Sequence, residues 1–251
     1  GLEMGPHDWA VRCNLVTAAD GSLADSNAGH ISTEEATVLI ELLNEELGSD
    51  EVSFHVGTGY RHIMLYRGEA ALNCETNPPH DYVGEPIREL LPRGPGSSVL
   101  TELMRKSTEV LAGHEVNEVR TDLGKNPANM IWLWGQGTVP RMDPFEDRYG
   151  LSGGCISAVN LVRGIGKIIG WEVIEVPGIT GYTDTDYAAK GRYALDALNE
   201  LDLVFIHIEA PDEASHDRDV QAKVRSIQAI DRDIVGPIMA QAEQDGDMRV
   251  L

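Results

Sequence analysis

Asp212 and His216, a carboxylate and an imidazole four residues apart, are the first candidates for chemistry in this chain. They follow residues 203–208, a continuous apolar run that is typical of a strand covered on both faces. Sites in open parallel sheets gather outside the carboxyl ends of the strands. On one turn of helix the two side chains face the same way and can share a metal ion such as Mn²⁺, Zn²⁺ or Mg²⁺. The alternative interpretation is a solvated acidic loop.

Lys125 and Asn126 are candidates for binding an anion. They precede an apolar strand predicted over residues 129–134, so they can point into a cleft. A lysine is a point-charge partner for phosphate, and an asparagine amide donates to anions. An ordinary polar turn is the alternative. His80 and Asp81 lie in a proline-rich loop, where they form either a site pair or a loop staple, and we favour the staple.

Two arginines and two histidines complete the candidate binding residues. Arg12 lies inside one predicted strand, and Arg61 and His62 begin another. An arginine in a strand needs a partner, and either a substrate carboxylate or a neighbouring glutamate would serve. His30 precedes a capped helix, whose first backbone amides favour anions.

The charge balance is strongly acidic, with 20 Lys and Arg against 41 Asp and Glu and a formal net charge of −21 in 251 residues. This balance argues against nucleic acid or a membrane surface as a partner. No apolar run approaches the roughly 20 residues of a membrane span, and no secretion signal is visible. The three cysteines, Cys13, Cys74 and Cys155, are odd in number and far apart. They indicate small buried side chains in a reducing compartment, the cytoplasm.

The first half of the chain predicts a sheet with helices packed against it. The predicted strands cover residues 10–17, 52–56, 61–67 and 129–134. Ser32 and Glu35 form a capping box, which predicts a helix that ends at Gly48. Ser98 is the predicted cap of a second helix.

From about residue 151, strands and helices alternate, which predicts a parallel sheet. The predicted strands cover residues 155–156, 171–176 and 203–208, and helices are predicted up to 169, over 186–199 and over 219–242. Pro237 is expected to end or kink the last helix, and residues 248–251 are expected to begin another strand. We place a domain boundary in the Gly-, Pro- and charge-rich stretch over residues 135–150.

Together, several segments resemble one known family, the archaeal-type 2,3-bisphosphoglycerate-independent phosphoglycerate mutases of the alkaline phosphatase superfamily. The segments that carry the resemblance are residues 12–17, 28–35, 60–62, 78–81, 124–137 and 209–216. The most specific is Lys-Asn-Pro-Ala-Asn-Met-Ile-Trp-Leu-Trp-Gly-Gln-Gly over residues 125–137. The resemblance covers essentially the whole chain.

The resemblance implies an α/β fold, with part of an alkaline-phosphatase-like parallel-sheet core and an inserted smaller α/β domain. Residues 1–8 would be the trailing edge of the core, residues 9–149 the inserted substrate-binding domain, and residues 150–251 a partial metal-binding core. It also implies an isomerase of glycolysis and gluconeogenesis that interconverts 3-phosphoglycerate and 2-phosphoglycerate through a phosphoserine.

The resemblance further implies that two divalent metal ions are bound, with Mn²⁺ as the expected ion and Mg²⁺, Co²⁺ or Zn²⁺ as alternatives. It implies that 2,3-bisphosphoglycerate is not used as a cofactor. Asp212 and His216 match the family's Asp-x-x-x-His metal ligands. The positions assigned to the substrate's phosphate and carboxylate are Arg61, His62, Lys125, Asn126, Arg12 and His30.

The family's nucleophilic serine is expected before residue 1, and its remaining metal ligands on both sides of the chain. We therefore expect an incomplete chain that holds no catalytic residue and is inactive alone. The alternatives are another metal-dependent phosphatase or phosphomutase of the same superfamily, or a catalytically inactive binding fragment.

Overall fold

The protein, described by a computed structural model over residues 2–251, divides into two compact units. The first unit ends at Val139, and the second runs from Pro140 to Leu251. The division falls inside the 135–150 stretch where the sequence predicts a boundary. Residues 2–8 belong to the first unit, and Gly1, where the predicted segment 1–8 starts, lies outside the described residues.

The first unit is built on a five-stranded antiparallel sheet in which the longest strand, β1, is central. β1 pairs with β4 on one side and β5 on the other, β2 pairs with its last residues, and β3 pairs with β4. The strands are β1 (Trp9–Ala19), β2 (Ser22–Asp25), β3 (Val52–Thr58), β4 (Arg61–Tyr66) and β5 (Met130–Thr138).

Four helices accompany this sheet: α1 (Thr33–Leu47), α2 (Ile87–Leu90), α3 (Ser97–Leu111) and α4 (Glu115–Asp122). The predicted capping box of α1 is confirmed, since Ser32 and Glu35 exchange hydrogen bonds through their side chains and backbone amides. The predicted cap of α3 is wrong, because Gly96 and not Ser98 takes that position. Gly96 has a φ of 81°, and a Cβ there would lie 2.3 Å from the carbonyl oxygen of Ala71.

The pairing of β1 with β4 sorts the candidate residues onto two faces. Arg12 is opposite Ile63, and Cys13 is opposite His62. Because side chains alternate along a strand, Arg12 and Arg61 share one face, and Cys13 and His62 share the other. Both arginines are exposed and both other residues are buried, so the sheet has an open face and a core face.

The second unit contains a three-stranded parallel sheet in the order β7-β6-β8, which confirms the predicted parallel pairing. The strands are β6 (Gly153–Ile156), β7 (Glu172–Val173) and β8 (Leu203–Ile206). The helices are α5 (Phe145–Tyr149), α6 (Asn160–Ile168), α7 (Tyr187–Ala197), α8 (Ala210–His216), α9 (Val220–Ile230) and α10 (Gly236–Asp245). Among the described residues, no helix combines the length and the apolar character that a membrane crossing needs.

Three predictions for this unit are corrected. The segment 203–208 was expected to be covered on both faces, but Phe205 of β8 is 45% exposed. Residues 248–251 form no strand. Pro237 was expected to end or kink the last helix, and the first of these alternatives is wrong because α10 continues through it. Instead, a π-helical turn over Asp231–Val235 joins α9 to α10.

The π-helical turn accommodates Pro237, which has no N–H to donate to the carbonyl four residues earlier. That carbonyl belongs to Asp233, and it would lie 2.7 Å from a Cβ placed on Gly191 of α7. The Asp233 carbonyl oxygen therefore lies against α7 at Gly191, and a larger residue at that position would force the two elements apart.

Candidate functional site

The open face of the first unit carries two arginines with aromatic neighbours. The guanidinium carbon of Arg12 lies 4.6 Å from the ring centroid of Trp134, and that of Arg61 lies 5.3 Å from the ring centroid of Tyr60. Within residues 2–251, neither Arg12 nor Arg61 forms an ion pair. Neither arginine therefore has the glutamate partner considered in the sequence analysis. Both cations are available to an anionic ligand.

A loop cluster in the same unit holds His30, Lys125 and Asn126. The Asn126 side chain donates to Asp25 Oδ2 at 2.7 Å, and the Gly29 amide donates to the same oxygen at 2.8 Å. Partial burial acts to raise the pKa of Asp25, but hydrogen bonds from Asn126 and nearby backbone amides outweigh it and lower that pKa. The Asn126 amide therefore already has a protein partner, whereas the side chains of His30 and Lys125 are exposed.

Arg120, which sequence reasoning missed, holds this cluster together. It is 1% exposed and pairs with Glu35 at 2.7 Å. Its other nitrogens donate to the carbonyl oxygens of Ala28 at 2.5 Å and Asn126 at 3.0 Å. The guanidinium thus joins the loop before α1 to the loop before β5. No local pattern marks it, because its partners are far away in sequence.

The hairpin tip between β3 and β4 is attached to the start of α1. The Gly59 amide donates to Thr33 Oγ1 at 3.0 Å, and the Ile31 carbonyl oxygen would lie 3.4 Å from a Cβ on Gly59. The structure therefore brings the tip that precedes Arg61 against the segment that follows His30.

His62 is placed differently from the other candidates, since it lies on the core face and is 3% exposed. The Gly57 amide donates to its Nδ1 at 3.0 Å, and its Nε2 is buried with no hydrogen-bond partner among the described residues. Burial lowers the pKa of His62 to about 4. The geometry therefore separates His62 from Arg61 and does not favour direct contact between His62 and a ligand on the open face.

In the second unit, Asp212 and His216 share one turn of α8, directly after β8. Asp212 Oδ2 lies 3.2 Å from His216 Nε2, and the side chains are 68% and 74% exposed. Two ligands about 2.1 Å from one ion, at octahedral to tetrahedral angles, lie about 3.0–3.4 Å apart, so this spacing fits a shared metal. Residues 2–251 contain no cluster of three or more potential ligands, so α8 offers a partial donor set.

The carboxyl ends of β6 and β8 hold further polar residues that the sequence reasoning missed. Lys190 of α7 is 1% exposed, and its Nζ donates to the His207 carbonyl oxygen at 3.3 Å. Burial lowers the pKa of this lysine, and the nearby Glu209 carboxylate opposes that shift. Ser157 Oγ lies 3.3 Å from His207 Nδ1. Ser157 follows one predicted strand and His207 lies near the carboxyl end of another, so the rule for parallel sheets could have found them, but nothing marks Lys190.

Comparison with known proteins gives a consistent family. A family model described as 2,3-bisphosphoglycerate-independent phosphoglycerate mutase matches residues 1–117. The protein named 2,3-bisphosphoglycerate-independent phosphoglycerate mutase 2 from Methanothermobacter thermautotrophicus is 48% identical over 100% of this chain and 62% of its own length. A Methanosarcina barkeri relative with the same family name is 46% identical over 97% of this chain and 61% of its own length. The probable 2,3-bisphosphoglycerate-independent phosphoglycerate mutase from Geobacter sulfurreducens is 48% identical over 100% of this chain and 64% of its own length.

Two solved structures have the same fold. A protein from Pyrococcus horikoshii matches 96% of this chain and 56% of its own with a TM-score of 0.72. The cofactor-independent phosphoglycerate mutase from Thermoplasma acidophilum matches 91% of this chain and 62% of its own, with a TM-score of 0.58. Both are 24% identical to this chain, so they support the predicted α/β fold class alone.

The chain spans 61% to 64% of the length of the three curated relatives described above. However, 97% to 100% of this chain aligns with them, at 46% to 48% identity. Over almost its whole length, the chain is similar to 2,3-bisphosphoglycerate-independent phosphoglycerate mutases.

Proposed function

We propose that the protein acts in the metal-dependent interconversion of 3-phosphoglycerate and 2-phosphoglycerate through a phosphoserine, without 2,3-bisphosphoglycerate. The observation that carries the proposal is the 48% identity to the Methanothermobacter relative over all 251 residues. A glycolytic role and a cytoplasmic location follow as part of the same proposal.

The first unit, which holds most of the inserted substrate-binding domain expected over residues 9–149, is proposed to bind the phosphoglycerate. A net charge of −21 repels a phosphorylated acid, so binding needs local cations. Arg12 and Arg61 supply two guanidinium groups on one face, and Lys125 and His30 add exposed donors from the loop cluster. Guanidinium groups suit phosphate and carboxylate because they donate two parallel hydrogen bonds. Asn126 contributes by holding Asp25 and the loop around Gly29.

The second unit is proposed to contribute to a metal centre, as part of a phosphatase-like core over residues 150–251. Asp212 and His216 would hold one divalent ion, with Mn²⁺ proposed first and Mg²⁺, Co²⁺ or Zn²⁺ as alternatives. Bound divalent ions activate an oxygen nucleophile and neutralise the transferring phosphoryl group. The proposal assigns no nucleophile and no ligand of a second ion to residues 2–251, so we expect the 251 residues alone to be inactive.

Two measurements on the 251-residue chain test the proposal. Calorimetric titration with 3-phosphoglycerate should show binding that is lost in Arg12→Ala and Arg61→Ala. An assay that couples 2-phosphoglycerate to enolase should show no turnover by this chain alone. Turnover here would contradict our assignment of the nucleophile.

The gene product that carries this chain provides the complementary test. It should form 2-phosphoglycerate from 3-phosphoglycerate when a divalent metal is present. Release of inorganic phosphate without 2-phosphoglycerate would favour a phosphatase of the same superfamily and would contradict the mutase.

A further inference from the structure

Arg12 lies beside an irregularity in the sheet. The register between β1 and β5 shifts between Ala10 and Arg12, so two residues of β5, Gly135 and Gln136, oppose one residue of β1. Gly135 has a φ of 58°, as in the bulges whose first residue is a left-handed glycine. Bulges of this kind redirect neighbouring side chains, and Arg12 is the next residue of β1, paired with Trp134 directly before the bulge.

The Arg12 side chain is confined on two sides. Its guanidinium lies over the Trp134 ring at 4.6 Å. A Cβ on Gly135 would lie 3.2 Å from Arg12 Cδ, so this position leaves just enough room for the arginine stem. Arg12 is nevertheless exposed and forms no ion pair among residues 2–251. The confinement therefore fixes a cation whose hydrogen-bonding edge is still available.

The Trp134 ring is itself held in place. Its indole N–H donates to Asn14 Oδ1 at 3.3 Å. The ring of His80 meets it edge-on, with centroids 5.5 Å apart and an interplanar angle of 67°. Asn14 also belongs to the open face, opposite Arg61. The indole is thus oriented from the sheet and from the proline-rich loop.

That loop is joined to the bulge by side-chain hydrogen bonds. Thr76 Oγ1 accepts from the Gly135 amide at 3.1 Å and donates to Gln136 Oε1 at 3.0 Å. The Gln136 amide nitrogen donates to the carbonyl oxygens of Cys74 at 2.5 Å and Leu72 at 3.1 Å. The two bulge residues are therefore anchored to the segment that leads to His80.

We propose that Trp134 is a positioning residue that fixes the Arg12 guanidinium in the orientation that receives an anionic group of the substrate. The inference rests on the proposed function and adds a residue to its binding site. An arginine held in its bound conformation loses less side-chain entropy on binding, and a ring beneath the guanidinium leaves the in-plane N–H groups free for a bidentate contact. Removing the ring lets Arg12 move and weakens binding without removing its charge.

The test compares variants of the 251-residue chain with inorganic phosphate and 3-phosphoglycerate as probes. Trp134→Leu removes the ring, Trp134→Phe keeps a smaller one, and Gly135→Ala crowds the Arg12 stem. Arg105→Ala removes an exposed arginine from α3 and serves as the control for net charge. For each variant we would measure the Kd by calorimetry and the Arg12 Nε–H resonance by NMR in the absence of ligand, with circular dichroism to establish folding.

We expect Trp134→Leu to weaken 3-phosphoglycerate binding by about three- to tenfold, the usual size of a cation–π contact. The Arg12 Nε–H resonance should lose its ring-current shift in the same variant. Trp134→Phe should retain part of the affinity and part of the ring-current shift. Gly135→Ala should weaken binding although the Trp134 ring is still present. Arg105→Ala should have the Kd and the Arg12 resonance of the wild type.

Two contrary results are distinguishable. If Trp134→Leu folds and changes neither the Kd nor the Arg12 resonance, while Arg12→Ala weakens binding, the positioning role is wrong and the proposed function stands. If Arg12→Ala also leaves the Kd unchanged, Arg12 binds no substrate anion, and both the inference and the proposed binding face are overturned.

Discussion

Arg61 and His62 are consecutive in β4, yet Arg61 projects from the open face of the sheet and His62 lies 3% exposed on its core face. The side-chain alternation of a strand separates two residues that the sequence presents as one motif. The pair combines a ligand-facing cation with a histidine that holds the hairpin, through the Gly57 amide at 3.0 Å.

The buried position of His62 predicts a pH dependence of stability. Its pKa is about 4 in the folded protein, whereas an unfolded histidine has a pKa of about 6.5. Between about pH 6.5 and about pH 4 His62 is protonated in the unfolded chain but not in the folded protein. The free energy of unfolding should therefore fall as the pH drops from about 6.5 to about 4. The total loss is about 3 kcal/mol at most.

Urea unfolding at several pH values measures this effect. His62→Leu should flatten the pH dependence over that interval, whereas a Leu substitution of the exposed His7 should leave it unchanged. Equal slopes for the wild type and His62→Leu would show that His62 is not the responsible group.

The geometry of α8 predicts that Asp212 and His216 act together on one ion. Asp212→Asn or His216→Ala should each weaken Mn²⁺ binding to the chain by at least about tenfold, because each removes one of two donors. Glu213→Gln is the matched control, since it changes the charge of the same helical turn. If all three variants weaken Mn²⁺ binding equally, the loss reflects the overall charge of the helix, and the assignment of Asp212 and His216 as metal ligands is wrong.

Arg120→Ala is predicted to destabilise the first unit by about 2–4 kcal/mol, because it leaves the Glu35 carboxylate and buried carbonyls without their donor. Arg105→Ala provides the comparison. Arg105 pairs with Glu102 and Glu109 on the surface of α3, and its loss should destabilise the protein much less than the loss of Arg120. Similar shifts of the two urea midpoints would argue against a special role for Arg120.

The contact between α7 and the π-helical turn predicts opposite effects for two glycine substitutions. Gly191→Ala should cost about 1–3 kcal/mol, since the new Cβ would lie 2.7 Å from the Asp233 carbonyl oxygen. Gly164→Ala in α6 meets nothing within 4 Å and should stabilise the helix by about 0.5–1 kcal/mol. Thermal unfolding checks the signs, and a stabilising Gly191→Ala would mean that the two elements can separate freely.

Local patterns predicted the elements whose causes are local. The reciprocal bonds of Ser32 and Glu35 start α1 as expected, and the strand–helix alternation beyond residue 151 gives the parallel sheet. The shared turn of Asp212 and His216 is one of the two interpretations that their spacing left open.

Features that depend on distant partners could not be predicted in this way. Arg120 has its main contacts 85 to 92 residues away in sequence. The ring beneath Arg12 comes from a strand more than a hundred residues later, in a register that only the folded sheet defines. The contact between the Asp233 carbonyl oxygen and Gly191 of α7 also joins distant segments, and the proline pattern does not show it.

The extra residue in β5 also interrupts the alternation of side chains between the two faces of the sheet along that strand. Trp134 is opposite Arg12, and Gly137 is opposite Ala10, so an even and an odd position point to the same side. A deletion at Gln136 would restore simple alternation and leave Gly137 opposite Ala10, but it would remove the bulge beside Arg12 and the hydrogen bonds from Gln136 to Cys74 and Leu72. We therefore expect alignments of related chains to place their gaps elsewhere.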